Sequence, residues 1–209
     1  MTNSAHSITD PTALRTIFSV GRADSEVPFI HDFHGAITLT SLDAEENIST
    51  EEVGTISGTV FDGAEALNCD LDIWELADQI SQEHTEVAEF AFSDNMLVPA
   101  IIGEGYGARL LYIGRMNLKP EFRGKGIGLY AIARAIELMG SGKDAVLMQA
   151  YPLQFKQSVF NEVIADQLGL KANGSDFSNC LDKLVRYYSR LGFELVDPNN
   201  SYMARLNYS

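Results

Sequence analysis

The chain has 209 residues, 45% of them hydrophobic, and a formal net charge of −14. That length predicts one domain with a substantial core, and the charge argues against a nucleic-acid or anionic-membrane partner, since phosphate surfaces select for basic ones. No apolar run is long enough to span a bilayer. The first residues lack a basic stretch followed by an apolar one, so no secretory signal is expected. Cys69 and Cys180 are isolated in sequence, which suits a reducing, cytoplasmic setting better than a disulfide framework. The charge is also lopsided: residues 23–108 contain no Lys or Arg, and basic residues cluster from Arg109 onward. The plain reading is a solubilising acidic face; the functional one is an acidic side that attracts a cationic amine, opposite a basic side.

Residues 1–10 are polar and expected to fray, and 1–26 reads as a partly flexible N-terminus. Asp10 and Pro11 supply an N-cap and a first helical position, which predicts a short helix over residues 12–20. A strand is predicted over 35–42. His31 and His34 would point to opposite faces of a strand and lack a third ligand, so no metal site is expected. Residues 43–52 form an acidic loop. Residues 53–61 alternate as a second strand, with Gly54 and Gly58 as bulge positions, and 62–68 reads as a loop. Over 70–92, Leu71, Trp74, Ile80, Val87, Phe90 and Ala91 fall near helical spacing. This predicts an amphipathic helix, or two divided near Ser81, with Trp74 as a core anchor. Residues 97–102 read as a weak strand, followed by a glycine-rich turn.

The strongest local pattern follows. Residues 110–118 are an apolar, β-prone run, broken at Lys119-Pro120, and 126–139 form a helix with few charges. Residues 145–150 are a second apolar strand, so the unit implies a parallel pair joined by a right-handed crossover. Residues 154–176 read as a helical insertion with one helix at 159–168. A helix over 178–191 is capped by Gly192, and strands at 193–196 and 202–206 close as a hairpin.

Between the first strand of that unit and its helix lies Arg123-Gly124-Lys125-Gly126-Ile127-Gly128. The first N–H groups of a helix have no partner within it, and the helix dipole adds positive charge at that end. Glycine lets a phosphate approach the backbone, and Arg123 and Lys125 add full charges. The loop is not a P-loop, because no Ser or Thr follows Lys125. It is not a dinucleotide fingerprint either, because Leu129 stands after Gly128.

The R-x-x-G-x-G spacing of Arg123, Gly126 and Gly128, with Pro120 upstream, resembles the coenzyme-binding motif of the GNAT N-acetyltransferase superfamily. Tyr188-Ser189-Arg190-Leu191-Gly192-Phe193 resembles its second motif, a helix ending in Gly-Phe before a late strand, at the expected order and distance. The resemblance covers the chain from Leu110 onward; the first half matches in general layout only.

It implies an α/β fold: a mixed, twisted β-sheet, flanked by helices, that splays open between the strands at 110–118 and 145–150. The cosubstrate would be acetyl-CoA. Its pantetheine arm would meet the backbone of Met116, Asn117 and Leu118, and its pyrophosphate would meet Arg123, Gly124, Lys125, Gly126 and Gly128 with the neighbouring amides of Ile127 and Leu129. Tyr188 matches the family's general-acid position. An acceptor amine would attack the thioester directly. Some relatives carry a Glu on the central strand as base, but residues 112–118 hold no carboxylate. Glu75, Glu86, Glu104 or ordered water are the candidates left. The expected activity is acetyl transfer to a primary amine of a small molecule or protein, with a homodimer compatible. A non-catalytic acyl-CoA-binding module is the alternative, and a nucleotide-binding domain using the same loop a third.

Overall fold

The computed structural model describes residues 14–20, 27–42, 47–152 and 176–206, the first of these segments by its backbone. Two long strands, β2 (Ile30–Leu42) and β3 (Ile48–Asp62), pair antiparallel, and β1 (Leu14–Val20) adds to the free edge of β2. The helix expected over 12–20 is therefore a strand. Its sequence, Leu-Arg-Thr-Ile-Phe-Ser-Val, is rich in β-branched and aromatic residues, and pairing with β2 overrides the Asp-Pro helix signal. Both predicted strands at 35–42 and 53–61 are real but longer. Gly54 lies beside the β2–β3 register shift and Gly58 beside the β3–β6 one.

The expected loop at 62–68 is instead a helix, α1 (Gly63–Asn68), because the Asp62 carboxylate accepts the Glu65 N–H as its N-cap. The amphipathic stretch is two helices, α2 (Ile73–Asp78) and α3 (Gln82–Ala91), each started by a side-chain cap, from Asp72 and from Ser81. Trp74 is not a core anchor. It stands in the first turn of α2 and is 43% exposed, while Ile73, Leu76 and Ala77 form the buried face. The strand expected at 97–102 is only the end of a small hairpin, β4 (Phe92–Ser93) with β5 (Met96–Leu97). Pro99 then starts the short α4 (Pro99–Ile102), a position where its missing N–H costs nothing.

The crossover unit follows: β6 (Arg109–Leu118), α5 (Ile127–Met139) and β7 (Ala145–Gln149), with β6 and β7 parallel. The helix α6 (Phe177–Tyr188) runs through a 3-10 turn to Gly192, whose φ of 82° is the left-handed end that glycine accepts. The hairpin β8 (Glu194–Asp197) and β9 (Tyr202–Leu206) completes a seven-stranded sheet ordered β1-β2-β3-β6-β7-β9-β8. The helix expected at 159–168 lies outside the described residues.

The sheet separates two cores. On one face Ile30, Phe61, Leu110, Tyr112, Leu147 and Tyr202 meet Ile73, Leu76, Val87 and Ala91 of α2 and α3. On the other, Ile37, Ile56, Leu111, Ile113 and Met148 meet Ile127, Ile132 and Ile136 of α5 with Phe193. The strand alternation of β6 makes this possible, with odd positions toward α5 and even positions toward α3. That alternation switches once. The β3–β6 register steps from Gly58↔Ile113 to Ser57↔Arg115, which leaves Gly114 as a bulge. Beyond it Met116 and Leu118, both even, pack toward α5. A single inserted residue thus turns the end of the central strand over.

Candidate functional site

The parallel pairing of β6 with β7 runs only from Leu110↔Ala145 to Ile113↔Met148. It stops at the Gly114 bulge. Beyond that point β6 continues to Leu118 along β3, while β7 ends at Gln149. The sheet therefore parts, and a narrow space of about 50 Å³ opens between Gly114–Met116 on one side and Met148, Gln149 and Tyr151 on the other. Tyr188 forms part of its wall. Its side chain is 8% exposed and its hydroxyl makes no hydrogen bond among the described residues. Burial, helped by the neighbouring Tyr187, pushes its phenol up to about 12, so it carries a proton at neutral pH.

The glycine-rich loop sits at the end of β6 on the α5 side. Gly126 is the N-cap of α5 with φ 79°, and Gly124 has φ 74°; nothing lies within 4 Å of where a Cβ would stand on either. The amides of Gly124, Lys125, Gly126, Ile127 and Gly128 have no hydrogen-bond partner among the described residues, the first helical bond being Tyr130 N–H to the Gly126 carbonyl. Unfilled space over free amides fits a phosphate. Arg123 donates from Nε to the Leu118 carbonyl at 3.0 Å, which ties the loop to the strand end, and Lys125 lies over the Phe122 ring.

One member of the expected set falls away. The Leu129 amide donates to the Tyr187 hydroxyl at 3.1 Å, so it is occupied by the protein itself. That hydroxyl and the Met116 methyl both stand 2.8 Å from where a Cβ on Gly128 would be, so a larger residue there would displace them. The Leu118 carbonyl is likewise committed to Arg123. Met116 and Asn117 remain beside the parting.

On the α3 side of the bulge lies a larger cavity of about 420 Å³, floored by β2, β3 and β6. Glu83, Tyr112, Gly114 and Arg115 line both this cavity and the parting. Glu83 leans over the bulge: its Oε1 is 3.2 Å from where a Cβ on Gly114 would stand. Asp32, opposite Thr59 in the β2–β3 register, is fixed by two donors on one oxygen. Thr59 Oγ1 donates to Oδ1 at 2.7 Å, and His84 Nε2 stands 3.1 Å from the same atom. His84 Nδ1 meets Ser81 Oγ at 2.7 Å. Burial alone would raise the Asp32 carboxyl, but the His84 and Thr59 hydrogen bonds and the His84 charge outweigh it and hold it below its ordinary value.

The base candidates read from sequence are displaced by this geometry. Glu75 and Glu104 are exposed and line neither space; Glu86 lines a different cavity with Glu89 and Tyr202. Glu83, one turn before Glu86, is the carboxylate at the bulge. His34 reaches the cavity wall, His31 does not, and no group of three metal-ligating side chains occurs among the described residues.

No family model and no curated protein matches the sequence. The solved structures that align over most of this chain do so at low identity and low TM-score. Arabidopsis thaliana NAA60 in complex with acetyl-CoA is 12% identical at a TM-score of 0.41, over 92% of this chain and 98% of that one. The KacTA–DNA complex is 11% identical at 0.38, over 91% and 93%. AtaT complexed with acetyl-methionyl-tRNAfMet is 12% identical at 0.36, over 92% and 95%. Likenesses this distant carry no weight for activity, and the charge-based exclusion of a nucleic-acid partner gains no support from them. No described helix is long and apolar enough to cross a membrane. What the coordinates themselves show, a mixed sheet that parts beside a glycine-rich helix start, is the architecture implied by the motif resemblance to the GNAT superfamily.

Proposed function

We propose that the chain is an acetyl-CoA-dependent N-acetyltransferase that modifies a primary amine of a small molecule or protein. The observation that carries this reading is the juxtaposition of the parted strands, five free amides at the start of α5 and the unpartnered, buried phenol of Tyr188. Gly124 to Gly128, with Arg123 and Lys125, hold the pyrophosphate by amide donation and charge. Met116 and Asn117 border the pantetheine track. When bound, acetyl-CoA supplies the acetyl thioester.

The chain's own residues then have three tasks. Backbone N–H groups of β6 beside the parting stabilise negative charge on the acetyl oxygen. Tyr188 donates its proton to the departing sulfur, a role that suits a phenol kept neutral by burial. A carboxylate near the bulge takes the proton that the acceptor ammonium must lose. The decisive assay measures free thiol release from acetyl-CoA across a panel of amines, beside direct calorimetry of coenzyme A binding. Turnover with any amine supports the transferase. Coenzyme A binding with no turnover would make the chain a non-catalytic acyl-CoA-binding module. Competition by ATP, with no coenzyme A binding, would make the loop a nucleotide site.

A further inference from the structure

The cavity between α3 and the β2-β3-β6 surface is not needed to hold a coenzyme, yet it shares four wall residues with the parting. Building on the transferase reading, we propose that this cavity takes the acceptor, and that the acceptor is an amine bearing a second cationic group. Glu83 receives the proton of the reacting ammonium, and Asp32 holds the distal cation.

Three features point to a ligand here. Asp32 is oriented by Thr59 and His84 through Oδ1 alone, so Oδ2 has no partner among the described residues, and its side chain is 45% exposed on the cavity wall. His84 is itself held at both ring nitrogens, Nδ1 at 2.7 Å from Ser81 Oγ and Nε2 at 3.1 Å from Asp32 Oδ1, so the carboxylate is kept in place with Oδ2 turned to the cavity. Independently, Tyr112 is 5% exposed and lines both spaces, and its hydroxyl makes no hydrogen bond among the described residues. A buried hydroxyl without a partner is costly unless a ligand group meets it.

The proton balance closes. The ammonium gives one proton to Glu83, and the neutral nitrogen bonds to the acetyl carbon as the carbon–sulfur bond breaks. Sulfur takes the Tyr188 proton, and the second proton shed by nitrogen restores the phenol. Glu83 releases its proton to solvent, and the products are the amide and the free thiol. Arg115 and His34 also line the cavity, so an acceptor with a distal carboxylate is the outcome to test against.

The test compares diaminopentane, pentylamine and aminohexanoate as acceptors, and measures diaminopentane binding by calorimetry. Diaminopentane should exceed pentylamine about tenfold in kcat/KM, the worth of one charged hydrogen bond. Asp32→Asn should bring that ratio near one and weaken diaminopentane binding by a like factor, with circular dichroism confirming the fold. Glu83→Gln should lower kcat for both amines and keep their ratio. Equal use of the two amines, or preference for aminohexanoate, overturns the proposal while leaving the transferase intact. If no amine is acetylated, diaminopentane binding that depends on Asp32 still supports the cation site, and no binding removes it.

Discussion

The hydroxyl of Tyr187 accepts the Leu129 amide at 3.1 Å and so closes one early amide of α5 from within the protein. Tyr187→Phe would leave that half-buried N–H unsatisfied, at a cost of about 1 kcal/mol. The melting temperature should fall by about 2–4 °C for a chain of this size. Because the five amides before Leu129 are the ones left open, coenzyme A affinity should stay within about twofold, well under 1 kcal/mol. Thermal scans and calorimetry on the same variant check both. A large change in affinity would place the phosphate on Leu129 instead.

Gly126 sets a different kind of test. Its φ of 79° is left-handed, so most side chains there would strain the backbone by roughly 1–2 kcal/mol. Gly126→Glu would therefore confuse lost binding with lost stability. Asn tolerates this conformation, and its side chain would enter the open space over the amides. Gly126→Asn should abolish measurable coenzyme A binding while shifting the melting temperature little. An unchanged dissociation constant would remove this loop from the coenzyme site.

Tyr188→Phe should reduce kcat by about a hundredfold, the lower end of general-acid contributions, with little change in acetyl-CoA affinity. Its phenol is raised to about 12 by burial and by Tyr187, against an ordinary value of 10.0. A raised value means the folded state binds the proton more tightly than the unfolded one. The associated stability is complete below pH 10 and is lost as the pH climbs toward 12. Spectrophotometric titration of wild type against Tyr188→Phe should show one phenol ionising late. Full activity in the variant would take Tyr188 out of the chemistry.

Asp32 gives the opposite sign. Its carboxyl is lowered, so its contribution is present above the unfolded value of about 3.9 and disappears as the pH falls through the folded one. Urea unfolding should show wild type more stable than Asp32→Asn at neutral pH, with the gap narrowing only below about pH 4. A gap that did not change on acidification would mean that the His84 and Thr59 hydrogen bonds do not favour the charged carboxylate.

Much of this site could be read from local sequence, and the reason is that its parts are local. The free amides follow from glycines at 124, 126 and 128, and the late helix cap from Gly192 before Phe193. The parting between the two strands came with the motif resemblance, but its cause, the bulge at Gly114, was not legible. A glycine within a strand hints at a bulge, as at Gly54 and Gly58, but does not fix one; the one-residue register difference between β3 and β6 does. Glu83 was missed for a similar reason. Helical spacing shows which residues of α3 are apolar, and packing against the sheet decides which carboxylate faces the bulge. The Ser81 cap was the usable clue, because it places Glu83 and His84 in the first turn. At 14–20 the local signal misled, since a helix-starting Asp-Pro precedes a segment whose fate β2 decides.

Among the described residues, four parallel pairings are all that stitch the β1-β2-β3-β6 sector to the β7-β9-β8 sector within the sheet. A molecule lodged in the parting would act as a splint across that short seam. Hydrogen–deuterium exchange should then slow on both margins at once when coenzyme A is added, at Met116–Leu118 and at the far end of β7, although these margins belong to different strands. The same seam is where the two sectors would first come apart under mechanical load.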